Sequence, residues 1–355
     1  MESLLQKLKD KGVLTVADKL VHFIEESQDA ELFHIDIYSL AAKFGADKKV
    51  LLELFIRGLH EGIFRMEWEY HCPFCGGIAE ESLSIHEASG SNFCELCNVN
   101  FVNKLDDNIE VFFSIHPEVR AIPASFKDEY SKTVAKRVMN DKLFAWQTPA
   151  AIRGVDIVQN PLYRELMGNE VLLPDQSLEL MKSTVLFTDI KGSTRMYTEL
   201  GDSAAFHLVR EHFKILFDVI KSFNGIPVKT IGDAVMGVFA NQTEAVRASL
   251  EAQLQLTNFY KDKSGNEKIE VKIGLHTGPT IVVTLNGRLD YFGSTVNMAS
   301  RIQSVAAPNE VVLSEILFEN SENERIISAY AKAVKREKYN FKGMDGEYVV
   351  YHIDI

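Results

Sequence analysis

The sequence predicts an α+β chain, with a ferredoxin-like βαββαβ domain in its second half and a smaller, zinc-stabilised, winged-helix-like regulatory region before it. Three observations carry this prediction. From Ser183 the apolar period switches between two and about 3.6 in the order strand, helix, strand, strand, helix, strand. All four cysteines fall into one C-x2-C-x18-C-x2-C pattern. Residues 36–68 read as helix, turn, helix, strand. The expected division is 1–70 winged-helix-like, 71–116 zinc-ribbon-like, 117–180 connector and 181–355 the ferredoxin-like domain.

Bulk properties narrow the class. With 355 residues, 46% of them hydrophobic, the chain can form two or three domains, each with its own core. A formal net charge of -12 and a pI of about 5.4 disfavour diffuse attraction to nucleic acid or anionic lipid. Small-molecule or protein partners fit better. No run of about 18 apolar residues occurs, and MESLLQKLKDKG at the N-terminus is too charged for a signal peptide. The expectation is a soluble cytoplasmic protein with neither a membrane nor a nucleic-acid partner.

In chain order, DIYSLAAKF predicts a short helix and Gly45 its turn. A longer helix follows, with Val50, Leu51, Leu54, Phe55 and Leu59 on its apolar face, then a strand after Gly62. This winged-helix pattern raises DNA binding, yet residues 1–70 hold 9 Lys+Arg against 13 Asp+Glu. A protein-interaction or scaffold role fits that charge better, because DNA binding needs phosphate-neutralising cations.

Cys72, Cys75, Cys94 and Cys97 have the spacing of a four-thiolate zinc site, in which two tight turns each present two sulfurs. Two disulfides are the alternative, and they suit an exported chain. A shell closed by four sulfurs has no position for substrate, so this zinc would be structural, with His71 and His86 at the surface or bracing the ligands from behind. NIEVFFSIH then reads as a strand. Residues 117–180 mix short helical and loop patterns around five prolines, without strong periodicity.

The second half begins with a strand from Thr184 to Asp189 and a helix capped by Asp202 that runs to about Phe223. Val228 to Ile231 and Ala234 to Phe239 form a hairpin turning at Gly232-Asp233. A helix from Thr243 to Tyr260, a strand from Ile269 to His276, a helix from Ser294 to Val305 and a C-terminal hairpin complete the list. If the first strand and the hairpin are sheet neighbours, Asp189 and Asp233 converge at one edge. There they could hold two divalent ions about 4 Å apart, Mg2+ or Mn2+ by the hardness of their oxygens. The backbone from Ile190 through Gly192, Ser193 and Thr194 could cradle a triphosphate. Asn297 and Arg301, four apart, share a helix face from which an amide and a guanidinium could act on a ribose and a phosphoryl group. Lys229 and Asp290 could read a purine: adenine offers an acceptor to the ammonium and an amine to the carboxylate, whereas guanine reverses both.

Through FTDIKGST, KTIGDAVMGVF, IGLHTGP, DYFGSTVNMASRI and FKGMDGEYVVY, residues 183–355 resemble the catalytic domain of class III adenylate and guanylate cyclases. The resemblance implies Asp189, Ile190 and Asp233 as the set holding two Mg2+ or Mn2+, and Lys229 and Asp290 as adenine readers. It further implies Asn297 and Arg301 as transition-state residues and Lys342 as a ligand of a terminal phosphate. A homodimer with two shared sites is implied, converting ATP to cyclic AMP and pyrophosphate under control of the N-terminal region. That first half is similar to a poorly characterised bacterial module, which leaves its protein or small-molecule regulator unnamed. Rival readings are a guanylate cyclase on the same scaffold, a silent nucleotide sensor and a zinc-stabilised transcription regulator.

Overall fold

The structure is a computed structural model that describes residues 14–140, 151–263 and 268–355. Two compact units divide the chain. One comprises Met1–Val158, Leu162–Leu180 and Val282–Leu289, the other Gln159–Pro161, Met181–Ile281 and Asp290–Ile355. Among the described residues no helix is long and apolar enough to cross a membrane.

The first unit opens with α1 (Leu14–Glu26), α2 (Ile37–Phe44) and α3 (Lys48–His60). Asp36 caps α2 by accepting from the Ser39 amide, Gly45 ends it at a φ of 64°, and Asp47 caps α3. These are the helices and the turn read from the sequence. Strands β1 (Phe64–His71), β2 (Ile78–Ser82), β3 (Ser91–Cys94), β4 (Val99–Val102) and β5 (Ile109–Ile115) follow. After them come α4 (Ser125–Asn140), β6 (Ile152–Arg153), α5 (Gly154–Val158) and α6 (Pro161–Leu166). The sheet order is β2-β1-β5-β6, while β3 and β4 pair separately.

Alternation along β1 gives its sheet two unlike faces. Met66, Trp68 and Tyr70 are buried on one side, and Glu67, Glu69 and His71 are buried on the other. Glu81, Glu69, Glu110 and Arg153 stand in one row across the four strands. Adjacent carboxylates repel, so partners must offset them. Arg153 donates to Glu110 at 2.8 Å, the Tyr130 hydroxyl to Glu69 at 2.9 Å, and Lys127 pairs with Glu81 at 2.5 Å. Lys127 and Tyr130 belong to α4, a 16-residue helix where the sequence suggested only short helical and loop pieces. α4 meets this face through Lys127 and through Tyr130, whose ring also packs against Phe33 and Phe112, so it needs no long apolar stripe of the kind that would have revealed it. Residues 141–150 of the expected connector lie outside the described residues.

The ferredoxin-like order of elements belongs to the second unit, apart from residues 177–180, 282–285 and 288–289 at the ends of its strands, which count with the first. The elements are β7 (Ser177–Ile190), α7 (Ser193–Leu200), α8 (Asp202–Ser222), β8 (Ile226–Ile231), β9 (Ala234–Phe239), α9 (Gln242–Phe259) and β10 (Val271–Leu285). Then follow β11 (Arg288–Phe292), α10 (Ser294–Ser304), β12 (Glu310–Ser314), α11 (Glu315–Phe318), α12 (Ser321–Tyr330), β13 (Ala333–Tyr339) and β14 (Tyr348–Asp354). Eight strands form the sheet, in the order β13-β14-β12-β10-β7-β9-β8 with β11 paired to β10. Strand one of the motif therefore neighbours both strand three and strand four, as the βαββαβ plan requires.

Each sheet face has its own cover. Leu186, Val235, Ile273 and Val311 join Val209, Leu216, Ile220, Val246 and Leu250 in the core beneath α8 and α9. On the opposite face Met298 and Ile302 of α10 pack with Val312, Val350 and Phe341. A Cβ on Gly274 would lie 2.2 Å from the Gln303 backbone nitrogen, so only glycine lets α10 approach β10 so closely. The βαββαβ plan by itself obliges no cover on that face, and α10 supplies one. Two smaller corrections concern ends. Asp202 is the first residue of α8 rather than its cap, a position taken by Gly201 at a φ of 77°. β7 begins at Ser177 and β10 runs on to Leu285, beyond their expected bounds and past the residues that pair with β9 and β12.

Candidate active site

Asp189 stands half-buried at the end of β7, and Asp233 follows Gly232 at the tip of the β8–β9 hairpin. Gly232 has a φ of 63°, which closes the turn between the strands. β9 pairs antiparallel with β7, placing Phe187 opposite Met236. The hairpin tip therefore returns beside the end of β7, where the Ile190 amide donates to Asp233 Oδ2 at 3.2 Å. Thr188 Oγ1 fixes the same approach by accepting from the Val235 amide at 3.1 Å. Burial raises the Asp189 carboxyl above its ordinary range, and the Asp233 charge raises it further, while Lys272 partly offsets both. A half-buried acid that resists ionising beside a second carboxylate fits a divalent cation, whose charge removes the conflict. Gly192, at a φ of 68°, precedes α7 with no side-chain cap, leaving the first-turn amides at Ser193 and Thr194 without side-chain acceptors from that cap.

Lys229 of β8 reaches Asp290 of β11, with Nζ 2.5 Å from Oδ2. Asp290 is buried and also accepts from the Tyr291 amide at 2.8 Å. The ammonium lies 5.2 Å from the Phe292 ring centroid. This patch combines a cationic donor, an anionic acceptor and an aromatic face.

Asn297 and Arg301 are exposed on α10, and the opposite side of that helix is packed into the core. Lys342 is exposed on a turn closed by the Met344 amide donating to the Phe341 carbonyl, with Gly343 at a φ of 79°. The structure thus brings Asp189 to Asp233 and Lys229 to Asp290. Among the described residues no hydrogen bond joins Asn297, Arg301 or Lys342 through their side chains to either pair.

The four cysteines converge in the first unit. Their sulfurs lie within 4.8 Å of one another, Cys75 and Cys94 are 3.7 Å apart, and all four are free thiols. A tetrahedral zinc with bonds of about 2.3 Å puts its sulfurs about 3.8 Å apart, so the spacing fits that ion. Each turn continues into a left-handed residue, Gly76 at 74° or Asn98 at 55°. His71 is buried and its Nδ1 lies 3.1 Å from the Gly76 carbonyl, which braces the first turn, while His86 is exposed. Burial pushes the Cys72 and Cys75 thiols up to about 11.

Sequence reasoning missed His212, which is fully buried in α8 with neither ring nitrogen hydrogen-bonded among the described residues. Burial pushes its pKa down to about 4 from the ordinary 6.5. A base depressed in the folded state costs nothing above pH 6.5. Between pH 6.5 and 4 the unfolded chain gains the proton first, so stability falls by on the order of 3 kcal/mol and then levels. His212→Leu is expected to remove that portion of the acid loss in urea titrations run at pH 7.5 and 4.5. An acid loss equal in the two proteins would exclude His212 as its source.

Comparison with known proteins adds two family matches. Residues 176–354 match the adenylate and guanylate cyclase catalytic domain, and residues 1–185 match a family of unknown function (DUF5939). Receptor-type guanylate cyclase gcy-8 of Caenorhabditis elegans is 29% identical over 221 residues, covering 59% of this chain and 19% of that protein. An adenylate cyclase of Lachancea kluyveri is 29% identical over 43% of this chain and 9% of its own length. An adenylate cyclase of Anabaena cylindrica is 31% identical over 35% and 27%. The chain therefore spans less than a third of each of these relatives. Among solved structures, the adenylyl cyclase CyaB from P. aeruginosa is 22% identical with a TM-score of 0.42, over 50% of this chain and 95% of that one.

Proposed function

Because the chain belongs to the family of adenylate and guanylate cyclase catalytic domains, we propose that it is an adenylate cyclase, converting ATP to 3′,5′-cyclic AMP and pyrophosphate. The observation that carries the choice of nucleotide is the Lys229–Asp290 pair at 2.5 Å. Its polarity matches adenine, with the ammonium donating to a ring nitrogen and the carboxylate accepting from the exocyclic amine. Asp189, Ile190 and Asp233 would hold two Mg2+ or Mn2+ ions, which would supply Lewis-acid activation and charge neutralisation there.

The remaining roles belong to this chain's own groups. Asn297 orients the ribose, and Arg301 neutralises charge growing on the phosphoryl oxygens. Lys342 holds a terminal phosphate, and the backbone at Gly192, Ser193 and Thr194 lines the triphosphate. The ribose 3′-oxygen bonds to the α-phosphorus, the bond from that phosphorus to the bridging oxygen breaks, and the hydroxyl proton leaves to solvent. Asn297 and Arg301 face outward, which supports a homodimer whose two equivalent sites each combine acids from one chain with α10 of the other. In this reading the N-terminal region regulates the cyclase and contains one structural zinc at Cys72, Cys75, Cys94 and Cys97.

The test is turnover of the full chain with ATP and with GTP, each in Mg2+ and in Mn2+, quantifying cyclic product and pyrophosphate. Cyclic AMP should dominate. Faster cyclic GMP formation would replace this reading with a guanylate cyclase. Lys229→Glu combined with Asp290→Ser should lower the ATP-to-GTP ratio of kcat/KM by about tenfold or more. An unchanged ratio removes the two residues from base recognition.

A further inference from the structure

We propose that Arg164 is a positioning residue for Asp290, so that base recognition depends on a side chain outside the residues that match the cyclase catalytic domain. The proposal rests on the reading of Asp290 as a base-recognising residue.

The β10–β11 hairpin sets the geometry. Asn286 and Gly287 turn it with φ of 52° and 69°, the two left-handed residues of a tight two-residue loop. Such a loop sets Leu285 across from Arg288, Thr284 across from Leu289 and Val283 across from Asp290. The closing pair exchanges backbone hydrogen bonds, and the next pair, Thr284 and Leu289, turns its backbone groups outward. Among the described residues β11 pairs with β10 alone, so no strand lies beyond it to take the Leu289 carbonyl.

Arg164 of α6 takes that carbonyl instead. Its Nη2 donates to the Leu289 oxygen, and on the same rung Thr284 Oγ1 donates to the Leu172 carbonyl at 2.6 Å. Arg164, Leu172, Thr284 and Leu289 all belong to the first unit. Leu172 and Leu289 are buried, so both carbonyls accept where little water competes.

The Leu289 carbonyl carbon is bonded to the Asp290 nitrogen. Those atoms and the two flanking Cα atoms lie in one plane, so holding the oxygen fixes where the Asp290 Cα stands. From there the Asp290 carboxylate accepts from the Tyr291 amide at 2.8 Å and meets Lys229 Nζ at 2.5 Å. A base read by one carboxylate and one ammonium needs both held to within about 0.5 Å. Arginine suits this place because its planar guanidinium is always charged and donates along fixed directions.

The experiment measures binding of 3′-deoxy-ATP and of inorganic tripolyphosphate to the full chain in Mg2+ by isothermal titration calorimetry. The first ligand carries the base and cannot cyclise, whereas the second has phosphates only. Arg164→Met keeps the apolar stem and removes the donor. It should weaken 3′-deoxy-ATP about tenfold, the worth of one charge-assisted hydrogen bond, and leave tripolyphosphate within about twofold. Arg164→Lys can still donate to the carbonyl and should recover most of the loss. Asp290→Ala is the reference, with weakened 3′-deoxy-ATP and unchanged tripolyphosphate. Wild-type affinity for 3′-deoxy-ATP in Arg164→Met, beside a weakened Asp290→Ala, overturns the proposal. Equal weakening of both ligands in Arg164→Met overturns it too, because general damage to the fold then accounts for the loss. Wild-type affinity for 3′-deoxy-ATP in Asp290→Ala overturns the base reading, and the role of Arg164 with it.

Discussion

Asp189→Asn and Asp233→Asn should each lower cyclic nucleotide formation by about 10³-fold or more, in a chain that stays folded. The amide keeps the shape of the acid and removes the charge that a divalent cation needs. Folding should not suffer, for a reason visible in the metal-free site. A carboxyl raised in the folded state contributes stability below its ordinary value of 3.8, and that contribution is lost as the pH rises through the folded value. At neutral pH the ionised Asp189 is therefore a cost, and Asp189→Asn relieves it. The melting temperature without metal should hold or rise, while the added stability conferred by Mg2+ or Mn2+ disappears. Asp233→Asn differs in one respect. Its side chain also accepts from the Ile190 amide, and the amide oxygen of asparagine can still do so. Metal-dependent turnover retained in both variants would sink the two-metal reading.

The second large effect is expected at the cysteines. Cys94→Ser should reduce the zinc content from one ion per chain to none and lower the melting temperature by about 10 °C or more. Few buried apolar side chains hold this segment. The buried core around the thiols consists of Cys72, Cys94 and Phe101, and the β3–β4 ribbon has only four residues in each strand. An isolated two-stranded ribbon with so small a core is marginal in water. Elemental analysis beside a thermal melt checks the expectation. A variant with full zinc content and an unchanged transition would show that the cysteines neither bind the ion nor depend on it.

Much of the candidate site was legible because its residues sit where chain geometry changes. Asp189 ends a strand, Gly232-Asp233 makes a turn, and Asn297 and Arg301 repeat at helical spacing, so each leaves a local mark. The same applies to the paired cysteines, whose short spacing is itself the constraint. Other features left no such mark. α4 was hidden because it meets Glu67, Glu69 and Glu81 through Lys127 and Tyr130 and has only the Tyr130 ring on Phe33 and Phe112, which leaves no sustained apolar period. Gln303 reads as one more polar residue near a helix end. Its close packing on Gly274, some thirty residues earlier in the chain, is set by tertiary structure that no local pattern encodes.

By itself the sequence determined the kinds of element, the family of the second half, the four-thiolate pattern and the chemistry available to each candidate side chain. Those properties follow from periodicity, turn residues and functional groups, which act over a few positions. The tertiary structure alone decided which of those groups meet. It closed the Lys229–Asp290 pair across 61 residues, set Glu69 beside Glu81 and Glu110, and laid α10 on the face that carries Asp189. Such meetings depend on strand order and register, which are chosen by burying the whole core at once rather than by any single segment.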